Sequence, residues 1–326
     1  MAAPVTPDGD RAVDTALDDA IATAAALRHA VAEAVRGKDD VVALAVVALL
    51  SGGHLLVEDL PGTGKTLLAK SMAAAIGGRF GRVQCTPDLL PTDITGTSVY
   101  APADGSWLFR PGPLFAHVVL VDEINRASPR TQAALLEPME EHQVTVDGSS
   151  HALPTPFFCI ATQNPYGQVG TFPLPESQLD RFALVLSMGL PDRDAEREIL
   201  TGHGGTTAYE RLDAVTSPDE LASTTRVVGH VHCAPALVEY VLDLVAATRQ
   251  DPGLTVGASP RASVGLLQAA KAHAVVSGRR HVVPEDVHAV ATAALAHRVT
   301  VGGMVDTRAG AAAVAAIVSR TPVPRP

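Results

Sequence analysis

Aromatic side chains are scarce in this chain. Only 4% of its 326 residues are Phe, Trp or Tyr, and there is a single Trp. Its core therefore has to be built mostly from Ala, Val and Leu, and the hydrophobic fraction of 47% is ample for that. Cysteine is sparse too. Cys85, Cys159 and Cys233 are odd in number and widely spaced, which leaves no visible disulfide framework or metal cluster. Cys85 and Cys159 sit in or beside apolar runs and read as buried thiols in a reducing cytoplasm.

Positive charge is also short. Lys and Arg total 25 against 35 Asp and Glu, a formal net charge of −10. Sequence-independent nucleic-acid binding relies on clustered cations that displace counterions, so this balance argues against it. Long apolar runs are absent. Val41 to Leu50 and the Ala-rich Ala309 to Val318 are each about half the length of a membrane span. Met1 to Asp10 has no basic region leading into an apolar run, so no secretory signal is read. These absences together lead to the expectation of a soluble, cytoplasmic protein with no membrane span.

Residues 1–10 read as a disordered lead. From Arg11 to Val35 apolar residues recur at helical spacing, and Gly37 ends that helix. Val41 to Leu50 reads as a buried, nearly all-apolar helix. His54 to Glu58 is a short apolar run that stops at a Gly/Pro-rich loop, and a helical pattern follows from Thr66 to Ile76. Arg82 to Cys85, Val118 to Val121, Phe157 to Thr162 and Ala183 to Met188 read as further strands. Strands alternating with helical patterns predict an α/β fold with a five-stranded parallel sheet. After Pro191 helices dominate: Ala234 to Arg249, a helix opened by Ser259-Pro260 and closed by Gly278, and Pro284 to Val299. The expected division is thus 11–190 for an α/β domain and 191–320 for a small all-α domain, with a frayed Pro-rich tail.

The chemistry concentrates in the loop Asp59-Leu60-Pro61-Gly62-Thr63-Gly64-Lys65-Thr66. It nearly fits the phosphate-binding pattern G-x-x-x-x-G-K-[ST], with Asp59 at the first glycine position. The loop follows a strand and opens a helix, so phosphates bound there would meet free backbone N–H groups and a favourable dipole. Lys65 would reach the β- and γ-phosphates of ATP, Thr66 would bind Mg²⁺, and Leu67 continues the first turn. The Asp59 side chain is expected to point away from the phosphates. Val118 to Val121 then leads straight into Asp122-Glu123. An acid at a strand end can hold Mg²⁺ through water, and the adjacent Glu can polarise the attacking water. Read alone, this pair could be a helix cap and a first-turn acid. The two motifs together, on strand ends and in this order, point to a nucleotide triphosphatase.

The segments Asp122-Glu-Ile-Asn-Arg-Ala and Gln132-Ala-Ala-Leu-Leu-Glu137 resemble the MoxR family of AAA+ ATPases. So do Phe109 to Phe115, Ala161-Thr-Gln-Asn-Pro165 and Leu174 to Phe182, and the likeness runs from about residue 35 to residue 300. By position, the resemblance implies that Asn164 is the sensor orienting the attacking water. It implies that Arg181 is an arginine finger acting on a neighbour's nucleotide, where a surface ion pair with Asp180 or Glu176 is the plainer alternative. It also makes Arg261, in a first helical turn, the second sensor carried by the lid. Val35 and Gly37 match the segment lining the adenine pocket, although Val35 could equally be plain core.

Two insertions stand out. Residues 91–113 contain Trp107, and 143–153 alternate apolar and polar residues around Asp147-Gly148, a hairpin signal. In related AAA+ proteins such insertions point to the ring pore or the client; packing is the alternative. His230-Val-His-Cys233 has no further ligands and reads as structural. Asp147-Gly-Ser-Ser-His lacks the second Ser of a metal-adhesion loop.

The resemblance therefore implies a hexameric ring that hydrolyses ATP between subunits and remodels or matures a client protein complex. Its partner would carry a von Willebrand factor A domain, which this chain does not contain. A magnesium-chelatase-like ATPase subunit, a nucleic-acid motor and a nucleotide-gated switch are the alternatives.

Overall fold

A computed structural model describes residues 7–103, 105–164, 170–201 and 207–324, with side chains from residue 13 onward. Residues 1–6 of the expected lead, Pro165 of the Ala161–Pro165 motif and the last two residues of the tail lie outside the described residues.

The chain opens with helix α1 (Pro7–Ala34), which takes in Pro7 to Asp10 as well as the segment read as helical. Helix α2 (Asp39–Leu50) follows and is largely buried. Strand β1 (His54–Glu58) runs into the glycine-rich loop and helix α3 (Lys65–Ala75), then strand β2 (Phe80–Gln84). The first insertion is a short helix α4 (Pro91–Thr95) and an antiparallel hairpin, β3 (Gly96–Ala101) with β4 (Ser106–Pro111). Strand β5 (Val118–Asp122) returns to the core. Two short helices come next, α5 (Pro129–Ala133) and α6 (Leu136–Glu141). The second insertion is the hairpin of β6 (Gln143–Val146) and β7 (Ser149–Ala152). Asp147 and Gly148 both have positive φ, 50° and 77°, as the tight turn read from that pair requires. Strand β8 (Phe158–Gln163), helix α7 (Glu176–Leu179) and strand β9 (Phe182–Leu186) complete the α/β part.

The main sheet has five strands in the order β2-β5-β8-β1-β9, and every pairing in it is parallel. Alternation along each strand divides the core into two layers. Leu55, Val57, Val118, Leu120, Phe158 and Ile160 face one apolar cluster. Leu56, Val119, Val121, Cys159 and Ala161 face the other. Strands covered on both sides have to be apolar throughout, which is why Val118 to Val121 carries no polar residue.

The remaining helices are α8 (Arg193–Leu200), α9 (Pro218–Val228), α10 (Pro235–Gln250), α11 (Pro260–Val276), α12 (Pro284–Leu295) and α13 (Thr307–Arg320). They make up a helical C-terminal region, and α11 to α13 belong to its lid. Helices α9 and α11 pack on α1, α11 also packs on α2, and α12 packs on β9, so the lid shares the first apolar cluster with the α/β part. Ala262, Ala269, Ala270, Ala272 and Ala274 are all fully buried on α11. Small side chains let the helix backbones approach closely where aromatics are scarce. Helix α12 ends at Leu295, four residues short of the expected Val299, and Ala296–Arg298 tighten into a 3₁₀ turn. The turn aims His297 and Arg298 at the carbonyl of Phe182 on β9.

Candidate active site

Strand β1 delivers the loop at the carboxyl edge of the sheet, and α3 begins directly after it. Gly62 and Gly64 adopt φ of 86° and 96°, a region that side-chain-bearing residues rarely enter. A Cβ built on Gly62 would meet nothing within 4 Å, so the loop is open on its ligand side. The loop borders a cavity of about 480 Å³. Pro61, Gly62, Thr63, Gly64, Lys65, Thr66, Leu67, Asp122, Glu123, Asn164 and Val35 all line it. Val35 is also 4% exposed and part of the apolar core, so the two readings of that residue are compatible. Three of the lysines, Lys38, Lys65 and Lys70, face the same cavity, and the only other one in the sequence is Lys271. This concentration of cations in an acidic chain suits a polyanionic ligand.

Lys65 Nζ donates to the carbonyls of Asp59 (3.0 Å) and Leu60 (2.7 Å) within the loop. Burial pushes its pKa down, and the nearby Asp59, Asp122 and Glu123 oppose that shift. Asp122 ends β5 beside it. One carboxylate oxygen accepts from Arg82 Nη2 at 2.8 Å, the other from the Thr162 hydroxyl at 2.7 Å. Glu123 lies in the left-handed region at φ 56°, and its N–H donates to the same Thr162 oxygen at 2.9 Å. Its carboxylate pairs with Arg126 at 2.9 Å and accepts from Gln84 at 3.4 Å. Asn125 links this turn to the end of β8 by donating to the Asn164 carbonyl at 3.3 Å. The oxygen-bearing side chains of Thr66 and Asp122, both on the cavity wall, fit a hard cation such as Mg²⁺. Open glycines, a helix amino terminus and Lys65 fit the phosphates of ATP.

Asp59 also lines the cavity, but its carboxylate is taken up by partners on the loop and on the chain after β9. Its carboxylate accepts from its own neighbour Leu60 N–H (2.7 Å), from Gly189 N–H (2.6 Å) and from the Ser187 hydroxyl (3.2 Å).

Two residues assigned to nucleotide binding by resemblance are not part of the cavity wall, although Gly37 sits between Arg36 and Lys38, which are. Gly37 does not line the cavity. Its φ is +68°, and a Cβ there would come within 2.5 Å of Ala195 Cβ, so the position needs glycine for backbone and packing reasons. Arg261 is not on the cavity either. It lines a second cleft together with Arg181, Glu140, Asp180 and Arg298. Ser51 to His54, at the amino end of β1, form part of that cleft. The reason is the fold of the lid: α11 lies across α1 and α2, which carries its first turn to the opposite end of the strand from the phosphate loop. Strand β1 has five residues, and at about 3.3 Å per residue its ends are roughly 15 Å apart. Glu140 accepts from Arg261 Nη2 at 2.7 Å and is paired with Arg181 through its other oxygen. Both arginines hold its carboxyl below the ordinary carboxylate value.

Residues 54–184 match the ATPase family associated with various cellular activities (AAA), and residues 246–320 match the AAA lid domain. The chain is 41% identical over 271 residues to Chaperone MoxR1 of Mycobacterium tuberculosis, covering 80% of this chain and 71% of that protein. The chain belongs to the MoxR family of AAA+ ATPases. It is also 45% identical over 262 residues to the protein YeaC of Bacillus subtilis, which covers 80% of this chain and 82% of that one. A crystal structure of a candidate ATPase from Cytophaga hutchinsonii superposes with a TM-score of 0.85 at 30% identity, covering 97% of this chain and 99% of that one.

Several residues around the MoxR site carry no plain signature in the sequence. Thr162 joins Asp122 to Glu123, and it lies within the Ala161-Thr-Gln-Asn run without standing out there. Arg82, Gln84 and Arg126 hold the two acids; only their nearness to strand ends hints at this. Glu140 and Arg298 have no local signal at all, because their partners are far away in sequence. Among the described residues no group of three or more His, Cys, Asp and Glu is placed to hold a metal ion. No described helix is long and apolar enough to cross a membrane.

Proposed function

We propose that this chain hydrolyses ATP at sites shared between neighbouring copies of itself in a ring, hexameric by its resemblance to related machines. One observation carries this reading. The phosphate loop lies at the carboxyl end of β1, while Arg181 and Arg261 lie in a cleft at its amino end. An arginine side chain cannot span that separation, so these cations cannot serve the chain's own nucleotide. A ring that apposes the two faces of successive subunits would bring them to the next subunit's γ-phosphate. The proposed division of the chain is an α/β nucleotide-binding part up to about residue 190 and a helical lid from there to about residue 320.

Each residue then has a task. The amides of Gly62 to Thr66 and the amino end of α3 hold the phosphates. Lys65 leaves the Asp59 and Leu60 carbonyls for the β- and γ-phosphate oxygens. Thr66 and Asp122 would hold Mg²⁺, whose charge would offset that of the phosphates. Glu123, freed from Arg126, accepts the proton of the attacking water, and Asn164 orients that water. Arg181, with Arg261 beside it, stabilises charge developing on the phosphoryl group across the interface, a contribution of roughly 10³–10⁵ in rate.

The finer role follows the family. A relative is named a chaperone, and a cytoplasmic remodelling or maturation task on a protein complex, with a von Willebrand factor A domain partner, is the reading that resemblance supports. The hairpins fit client contact: Trp107 is 70% exposed, with Tyr100 and Leu108 exposed beside it. The net charge of −10 disfavours a nucleic-acid track.

Mixing variants tests the shared site. Purified R181A and E123Q should each be inactive, and a mixture of the two should regain activity at interfaces that pair an intact Glu123 with an intact Arg181. Full activity of R181A by itself would end the idea.

A further inference from the structure

The phosphate loop is fastened to the chain that leaves the last strand. Asp59 stands where the standard loop carries glycine, and its Oδ2 accepts from Gly189 N–H at 2.6 Å and Ser187 Oγ at 3.2 Å. Ser187 to Pro191 carry the chain from β9 toward α8, and Pro191 belongs to the cavity wall. The far end of this segment is held as well: Lys38 Nζ donates to the Leu190 carbonyl at 2.6 Å. Met188, between the two anchors, is 3% exposed. Its Cε lies 3.5 Å from where a Cβ on Gly64 would stand, so it packs beneath the loop itself. A carboxylate from the loop, a lysine from the Val35–Lys38 turn and a buried Met thus fix one short wall of the cavity.

The loop's lysine is tied to the same residue. Lys65 Nζ donates to the Asp59 carbonyl, and transfer of Lys65 to a phosphate releases that carbonyl. The backbone unit that responds to the ligand therefore carries the side chain that grips Gly189. Glycine at this position would free the wall from the loop. Asparagine would offer one acceptor oxygen where aspartate offers two, and its amide would present a donor to a donor.

We propose that Asp59 is a positioning residue that couples the nucleotide state of the phosphate loop to the Ser187–Pro191 wall, and through it to the lid. This rests on the ATPase reading above. Phosphates that order the loop also order Asp59 and lock Gly189 N–H, so that amide becomes better protected from exchange when nucleotide binds.

Hydrogen exchange at Gly189 and Leu190 tests the coupling, with and without a non-hydrolysable ATP analogue and Mg²⁺, in the full chain and in D59G and D59N. The wild type should show slower exchange there with the analogue. Both variants should bind the analogue about tenfold more weakly, as expected for a lost charge-assisted hydrogen bond, and should show no analogue-dependent change at Gly189 when saturated. Nucleotide-dependent protection that persists in D59G overturns the proposal. D59G carries the standard loop residue; should it nonetheless unfold, persistence in the isosteric D59N overturns the proposal equally. A wild type that binds and hydrolyses ATP with unmoved exchange at Gly189 sinks this coupling alone. A wild type that binds no nucleotide sinks the ATPase reading instead.

Discussion

Glu140 and Arg261 are joined by a 2.7 Å hydrogen bond, and the same carboxylate is paired with Arg181. One acid on α6 thus holds together two cations from distant parts of the chain, one from the end of α7 and one from the start of the lid's α11. Two arginines left unpaired in one cleft would repel each other. Glu140 offsets that repulsion and sets where both guanidinium groups stand. E140A should therefore reduce the ATPase rate of the assembled protein by about tenfold, the order of one charge-assisted contact. Its affinity for nucleotide should hardly change, because Glu140 is not on the nucleotide cavity. Steady-state kinetics alongside nucleotide binding decide it; weakened binding at unchanged turnover would contradict this account.

The same carboxylate makes an acid-dependent contribution to stability. Its folded pKa is held below the ordinary 4.5 by Arg181 and Arg261. Native Glu140 therefore binds its proton less readily than unfolded Glu140. The stabilisation is complete above the unfolded value and is lost as pH falls through the lower, folded value. Urea unfolding of wild type and E140Q should differ by a constant amount above about pH 5.5 and converge in acid. A gap that widens toward low pH would refute the assignment.

Arg298 anchors the neighbourhood of Arg181. Its side chain is 5% exposed and pairs with Asp180 at 2.8 Å. It also donates to the carbonyls of Asp180, Phe182 and Ala294, each at 3.0 Å. Asp180 and Phe182 flank Arg181. Removing this buried partner leaves the Asp180 carboxylate with only its longer pairing to Arg261 at 3.7 Å and takes a donor from three carbonyls, of which Phe182 keeps His297, so R298A should cost about 3 kcal/mol. R298K should recover little, since a point charge cannot replace a planar fork. Chemical denaturation measures both; a loss under about 1 kcal/mol for R298A would show that the network relaxes around the gap.

His54 gives the fold a second sensitivity to acid. Its Nε2 bonds the Met139 carbonyl at 3.0 Å, and its Nδ1 receives the Cys159 N–H at 3.2 Å, which assigns the neutral tautomer with the proton on Nε2. Burial lowers its pKa from 6.5 to about 4. The unfolded chain takes up this proton first, so stability falls as pH drops from 6.5 toward 4 and levels off below. The whole shift corresponds to roughly 3 kcal/mol. His297, pushed down to about 3 by burial, acts in the same direction. H54Q keeps a donor for Met139 and removes the titration, so its stability should fall less steeply across that interval. Superimposable pH profiles for the two proteins would exclude His54 as a source of the slope.

What can be read from the residues alone follows the range of the forces involved. The loop from Pro61 to Thr66, the apolar run ending in Asp122 and the Asp147-Gly148 turn are local, and each appears in the fold as expected. Helix α9 is equally local, yet it is absent from the helices expected after Pro191. Ser217-Pro-Asp-Glu220 is a capping box, with Ser217 Oγ accepting from Glu220 N–H and the Glu220 carboxylate accepting from Ser217 N–H. The position of Arg261 is not legible in this way. It depends on how α11 lies over α1 and α2, and nothing near residue 261 encodes that packing. Glu140 likewise looks like an ordinary acid near a helix end until Arg181 and Arg261 are folded against it.

Thr162 carries the final prediction. Its hydroxyl donates to Asp122 at 2.7 Å and accepts the Glu123 N–H at 2.9 Å, so one oxygen fixes both acids. Glu123 is held at φ 56°, a left-handed conformation that costs a non-glycine residue about 1–2 kcal/mol. The hydrogen bond to its N–H helps offset that cost. Valine has the same shape but no acceptor and no donor. T162V should therefore leave Glu123 free to relax its backbone and Asp122 free to turn, lowering kcat by about tenfold or more and raising the Mg²⁺ concentration needed for half-maximal rate. T162S restores the hydroxyl and should recover most of both. A plain packing role predicts the reverse order, with valine tolerated and serine harmful, so kinetics of the two variants across a Mg²⁺ titration separate a hydroxyl that aligns Asp122 and Glu123 from a methyl group that fills space.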